Sequence, residues 1–457
     1  MSSVWNRIFV AGALLLGLSV MATAQNATIS PKRNAPYSRF GLGDPIDQYY
    51  AAQSAMGGLT ATYFNHSRAN LVNPASLGWM RFTAFEVGLN LKRSNLQDNN
   101  SEASETFWSG NLQNLTLSFP LRNSINQVVD RRRARFNWGM SFALVPFTEV
   151  GYNLELETRL QNGDSQETEG YLNSLKGSGG TYRLMWGNGF RYEDLSVGFT
   201  IGYLFGEIIN SRRIAPDTLG ASIAYSAEFL DEISVNGLTW SAGAQYRWPL
   251  EKDPRTGEVK KGIVFGAYGN SATSFDTKTD QFYHRDNFVL SRQLDTMVFA
   301  ENTPGSGRLP AEVGLGVQYY ENNRLRLGVD ARFTNWSSYE NSAKPESLQN
   351  SLRVSLGGEY IPDIESFNSF FQKVRYRAGL FYGTDPRTVN GQQIEEYGLT
   401  LGIGLPLIRP RQQTSYIDLS LEAGQFGLSE ALRETYFQMT IGFTLNDNTW
   451  FFKRKFN

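Results

Sequence analysis

The sequence predicts an all-β fold: a transmembrane antiparallel β-barrel of about 14 strands, with an N-terminal hatch or plug segment in its lumen. Three observations carry this. Apolar residues alternate with polar ones through most of the chain, short turns alternate with long polar connections, and a glycine- and aromatic-rich stretch without alternation precedes the first strand. A two-residue period marks a strand with one apolar and one polar face. The 44 Gly, 30 Phe, 22 Tyr and 9 Trp suit a large β body.

In chain order, residues 1–24 read as an export signal. Arg7 supplies the positive end, Ile8 to Val20 the apolar run, and Ala22-Thr23-Ala24 a small-residue cleavage site before Gln25. The other reading, an uncleaved anchor, needs a longer run, because a spanning helix takes about 20 apolar residues. Residues 25–81 do not alternate and include Met56-Gly57-Gly58 and Asn73-Pro74-Ala75. They are either a disordered leader or a plug, and their aromatics and Gly-rich turns favour the plug.

The barrel is expected over residues 82–446. Phe85, Val87, Leu89 and Leu91 share one face, with Glu86, Gly88, Asn90 and Lys92 on the other. The same pattern runs through Leu325 to Phe333, Leu352 to Leu356, Ile417 to Leu421 and Phe437 to Leu445. Connections such as Glu193-Asp194 and Asn322-Asn323-Arg324 read as tight turns. The stretches 161–180, 209–231 and 276–310 read as long loops on the opposite side. That asymmetry, with strands near bilayer-crossing length and an even strand count, distinguishes a membrane barrel from a soluble sandwich. In hydrocarbon a sheet must close, because every backbone donor and acceptor needs a partner. Trp108, Trp138, Trp186, Trp240, Trp248 and Trp336 can then sit in interfacial girdles.

The third strand contains Pro146, which cannot donate a ladder hydrogen bond. A break or kink is expected near Val145 to Thr148, with the apolar face running through Phe136, Phe142, Leu144 and Pro146 to Val150 and Tyr152, so that parity survives across the proline. A plain turn splitting the strand is the other reading. Residues 447–457 read as a periplasmic C-terminal tail.

Composition narrows the functional classes. Lys+Arg 43 against Asp+Glu 44 argues against a nucleic-acid binder, and the absence of Cys removes disulfides, thiolate metal sites and a cysteine nucleophile. Only His66 and His284 could serve a Ser-His enzyme, and neither sits on an expected strand beside a serine. No enzyme activity, cofactor or metal is expected.

The Met-Gly-Gly order at Met56-Gly57-Gly58, followed by Asn73-Pro74-Ala75 just before the first strand, resembles the FadL-like outer-membrane transporters of long-chain fatty acids and other hydrophobic molecules. The stretch Leu309-Pro310 to Gly316, then Asp330 and Asn335-Trp336, is similar to that family's paired central strands. The resemblance implies residence in the bacterial cell outer membrane, a lipid bilayer and hydrophobic small molecules as partners, and passive uptake past an N-terminal hatch and out through a lateral gap. It also implies that Asn73, Pro74 and Ala75 form the hatch end facing that gap and that Pro146 lies at the kink.

An apolar capture site would bind such ligands mainly by burying their surface. Its candidates lie in the loop 276–308: Phe282, Phe288, Leu290, Met297 and Phe299, with Val289 and Val298. A self-packed loop is the alternative. The expected lumen faces carry Arg326, Asp330, Arg332, Arg353, Glu359, Arg375, Arg377, Asp418 and Glu422. Buried charges need partners, so these are expected to clasp the hatch. That argues against a simple hydrophobic duct and keeps a second function open: a non-transporting accessory or carrier subunit of an outer-membrane secretion or protein-assembly complex, with other outer-membrane proteins as partners.

Overall fold

The structure, a computed structural model, describes residues 34–98, 104–121, 135–161, 168–216, 225–254, 257–287, 291–409, 413–428 and 432–447. The expected signal at 1–24 and the tail beyond Asp447 lie outside these, as do Phe288 and Leu290. Fourteen antiparallel strands close into a barrel. They are β1 Thr83–Asp98, β2 Ser104–Pro120, β3 Phe136–Gln161, β4 Thr168–Tyr192, β5 Leu195–Pro216 and β6 Tyr225–Lys252. Then come β7 (Val259–Asn270 and Thr273–Asn287), β8 (Ser291–Leu309 and Glu312–Glu321), β9 Leu325–Thr334 and β10 Ser351–Tyr360. The last four are β11 Arg375–Val389, β12 Gln392–Arg409, β13 Gln413–Gly427 and β14 Leu432–Asp447. Both pieces of β7 pair in succession along β6, so they form one bent strand. β14 pairs with β1 from Leu432↔Asp98 to Asp447↔Thr83, and this closes the sheet.

The faces are inverted relative to a water-soluble protein. Leu89, Leu315, Val329, Leu356 and Leu401 are exposed on the outside, whereas Glu86, Asp330, Glu359, Arg377 and Asp418 are buried within. Such a belt is stable only against hydrocarbon, and closure removes the two free edge strands that an open sheet would present there.

The wall is lopsided. β9 and β10 have 10 residues each, while β3 has 26 and β6 has 28. At about 3.3 Å per residue, β6 is about 90 Å of chain against about 33 Å for β9. The stretches 161–180, 209–231 and 276–310, expected as loops, are therefore largely strand. The β4–β5 ladder continues unbroken to Tyr171↔Pro216, and β7 and β8 pair across Phe282↔Phe299. Above the bilayer both faces of a ladder meet water, so the apolar alternation that marks a lipid-facing strand disappears while the backbone pairing persists.

β3 carries the main irregularity. Its ladder to β4 slips between Pro146↔Tyr182 and Thr148↔Thr181. Below the slip Asn137, Ser141 and Ala143 point inward and Phe142 is exposed; above it Val150 and Tyr152 are buried. Parity therefore reverses at the proline, correcting the sequence expectation. One extra residue in one strand turns every following side chain to the other face. Pairing between β2 and β3 runs only from Pro120↔Gly139 to Leu115↔Leu144; above Leu144 the two strands part.

Candidate functional site

Residues 34–82 run through the barrel interior, with short helical turns at Pro36–Arg39, Ala51–Ser54 and Pro74–Trp79. Their fit against the wall depends on glycine. A Cβ at Gly139, Gly189, Gly198, Gly266, Gly357 or Gly379 would collide with the backbone of Leu77, Pro74, Ala61, Met56 or Gly57. These six glycines lie on six strands, so the segment is seated around most of the circumference at backbone-to-backbone range. Asn73 caps the Pro74–Trp79 turn: its side-chain oxygen accepts from the Ala75 amide at 3.1 Å while its amide donates to Ala61 O at 2.6 Å.

Polar side chains of the wall satisfy the segment's backbone. Asp330 accepts from the amides of Thr60 and Ala61 at 2.5 and 2.7 Å, and Gln245 donates to Ala61 O at 3.0 Å. Arg326 donates to Phe64 O at 2.7 Å, Asn137 to the carbonyls of Gly78 and Met80 at 2.8 Å, and Ser196 to Ala75 O. A chain of buried ions continues this clasp. Arg68 of the segment meets Asp418 at 2.7 Å, Asp418 meets Arg377 at 2.6 Å, and Glu359 binds Arg377, Arg375 and Arg326 at 2.8, 3.0 and 3.6 Å. A buried charge is tolerated only with such partners.

The parted strands are filled by the start of the same segment. Asp44 and Pro45 pair with Glu149 and Thr148 of β3. Ala35 and Ile46 donate to the carbonyls of Gly151 and Phe147 at 2.7 and 2.9 Å, and the Gly151 amide donates to Ser38 Oγ at 3.0 Å. From β2, Asn111 reaches Glu149 at 2.7 Å and Gln113 donates to Tyr49 O at 2.9 Å. Residues 35–46 thus act as a strap along the edge that β3 loses when it leaves β2. Arg387 holds the strap through Tyr37 O at 2.7 Å and through Asp44.

A cavity of about 370 Å³ lies beside the strap. Pro146 and Phe147 line it together with Asp47, Arg332, Arg353 and Glu396. Asp47 bridges Arg332 at 2.8 Å and Arg353 at 3.3 Å, and accepts from the Tyr49 hydroxyl at 2.9 Å. Burial alone would raise its pKa, but the two guanidiniums reverse this and hold its carboxyl well below the usual carboxylate range. The cavity is therefore of mixed character, with this ion cluster facing apolar side chains such as Leu112, Phe147, Trp240 and Trp336.

The residues singled out from sequence fall in three places. Met56 and Gly57 sit against β10 to β12, with the Gly57 amide donating to Thr400 Oγ1 at 2.9 Å, while Gly58 lies against the Tyr49 ring of the same segment. Asn73, Pro74 and Ala75 seat against β4, β5 and β6 through Gly189, Ser196, Gly198 and Gly243, whereas Asp44 to Ile46 meet the parted strands. Phe282, Met297 and Phe299 lie on the β7–β8 hairpin, and Met297 and Phe299 are exposed there. None of these three lines the cavity. Sequence reasoning missed the strap and Asp47, because two residues of strand pairing leave no periodic signal.

The fold is similar to several solved barrels. A Pseudomonas aeruginosa FadL homologue shares 14% identity at a TM-score of 0.54, covering 89% of this chain and 99% of that one. The Pseudomonas putida toluene transporter TodX shares 17% identity at 0.52, covering 89% and 99%. The Ralstonia pickettii toluene transporter TbuX shares 14% at 0.51, covering 87% and 98%. At these identities the likeness is one of fold. No curated protein matches the chain. A family model described as BamG matches residues 6–457, nearly the whole length, and the chain belongs to the BamG family.

Proposed function

We propose that this protein is a permanently plugged outer-membrane barrel that serves as a subunit of a larger outer-membrane assembly, and is not an open conduit. The observation that carries this reading is the seating of residues 51–79: backbone against glycine on six strands, with an ion chain from Arg68 to Glu359 locking it in place. Withdrawing such a segment would strand several buried charges and donors at once, each costly to leave unpaired. Membership of the BamG family sits with this reading.

A second reading has its own support. The parting of β2 and β3 above Leu144, beside the cavity at Pro146, offers a lateral route for a small hydrophobic molecule if the strap moves. Two of the fold relatives are toluene transporters.

Affinity purification of a tagged copy from native outer membranes in mild detergent separates the two. Stoichiometric co-purifying protein is the expected result. A monomer carrying lipid or hydrocarbon would overturn the subunit reading in favour of uptake.

A further inference from the structure

The connection from β10 to β11 is unlike its neighbours. At the short-turn end of the barrel the other described connections are charged or amide-rich: Glu193 and Asp194, Asp253 and Glu258, and Asn322 to Arg324. Residues 361–374 are also charged, at Asp363, Glu365 and Lys373, but they add Phe367, 98% exposed, with Phe371 at 73% and Phe370 at 50%. Three exposed phenylalanines in five residues form an apolar patch that water does not favour.

The position of the patch says what covers it. Tyr360 and Tyr376 are cross-strand partners at the ends of β10 and β11, and both are exposed on the outer, lipid-facing side. The Tyr376 hydroxyl donates to the Phe371 carbonyl at 3.1 Å. The loop is thus tied to the outer rim of the wall, at the level of an aromatic girdle, and not beneath the lumen. The Phe370 and Phe371 rings lie 6.3 Å apart, and the Lys373 ammonium stands 5.7 Å from the Phe367 ring. Aromatic rings with a flanking lysine match the interface, where rings enter the headgroup layer and an ammonium stays in water.

We infer that residues 361–374 form an interfacial anchor whose Phe367, Phe370 and Phe371 insert into the lipid leaflet at the short-turn end, continuing the barrel's lipid-facing surface beyond the strand ends. The anchor fixes the depth and tilt of the low side of the wall, where β9 and β10 are shortest. It holds whichever functional reading is correct.

The chain has no cysteine, so a single introduced thiol can be labelled cleanly. Phe367→Cys, and Asn322→Cys on the adjacent turn as a control, would carry an environment-sensitive fluorophore in bilayers of phosphatidylethanolamine and phosphatidylglycerol, with heat-modifiable gel migration verifying the fold. The label at 367 is expected to emit to the blue of the label at 322, to lose intensity to lipid carrying a nitroxide near its ester groups, and to resist aqueous iodide. Equal iodide quenching at both positions, with no loss to the nitroxide lipid, would overturn the anchor. Exposure to iodide in pure bilayers combined with protection in native membranes would also overturn it, by assigning the patch to a protein partner.

Discussion

Asp330 Oδ2 stands 2.7 Å from the backbone nitrogen of Ala61 and also accepts from Thr60, so one carboxylate oxygen of the wall holds two successive amides of the interior segment. Asp330→Ala removes the acceptor for both. An unsatisfied buried donor costs about 1–3 kcal/mol, and the segment near residue 60 is expected to open locally. Hydrogen exchange of the Thr60 and Ala61 amides checks this, with Asp330→Asn expected to keep part of the protection.

Glu359 is the hub of the ion chain, with three arginines around it. Removing one partner of a buried ion pair costs about 3–5 kcal/mol, so Glu359→Gln should lower the urea midpoint of the heat-modifiable band well below wild type. Glu359→Gln combined with Arg377→Met is expected to recover part of the loss, because fewer uncompensated charges remain.

At Gly198 the clash is with main chain, which cannot rotate away as a side chain could. Its would-be Cβ meets the Pro74 carbonyl and the Ala75 nitrogen. Gly198→Val should cost about 1–3 kcal/mol or more through overpacking, seen as reduced folded yield and faster proteolysis after residue 60. A similar swap at an outward-facing site, Val197→Ile, is expected to be silent.

The strap can be locked covalently. Pro45 and Thr148 are directly paired, and facing residues in an antiparallel ladder lie about 4.5–5.5 Å apart at Cα, within disulfide range. With Pro45→Cys and Thr148→Cys oxidised, co-purification of partner proteins should be unchanged. If oxidation instead abolished hydrocarbon uptake and a reductant restored it, the strap would be a moving gate and the uptake reading would hold.

His66 joins the segment to the first strand: its Nδ1 lies 2.7 Å from Trp79 O, and its own carbonyl accepts from Arg81 and Phe82. Desolvation of the ring, then the nearby charge of Arg81, hold its pKa well below 6.5. The unfolded chain therefore binds the proton first. The stability from neutral His66 is fully present above about pH 6.5 and declines as pH falls toward the lower folded value. The thermal midpoint should drop between pH 7 and pH 5, and His66→Asn, which keeps a donor for Trp79 O, should flatten that portion of the profile.

Much of the barrel was legible because lipid imposes a rule on sequence. Where one face must be apolar, as in Leu325 to Phe333, alternation fixes both the strand and its inward set, and Arg326, Asp330 and Arg332 follow directly. That rule lapses where no lipid is present. The upper parts of β4 to β8 keep the backbone ladder, with polar and aromatic cross-strand pairs such as Tyr283 with Asp231 and Phe229, but without apolar alternation, and so read as loops. Parity at Val150 and Tyr152 was misjudged because a one-residue slip changes facing without changing composition. The strap was invisible because Asp44 and Pro45 owe their place to an edge left by a distant strand. Phe282, Met297 and Phe299 were recognisable as apolar, but where apolar residues converge depends on hairpin geometry that their order does not encode.

The glycine-lined seat of the interior segment constrains the order of biogenesis. Contacts reaching from Gly139 on β3 round to Gly379 on β11 hold residues 51–79 at backbone range against six strands, so a segment entering late would have to make them all inside a wall already set. The order that makes those contacts most simply has the sheet curl around the segment while its seam, β14 against β1, is still unzipped. On this account the N-terminus works as a mandrel on which the cylinder is wound, and residues 25–81 supplied as a separate peptide would not repair a barrel that had closed without them.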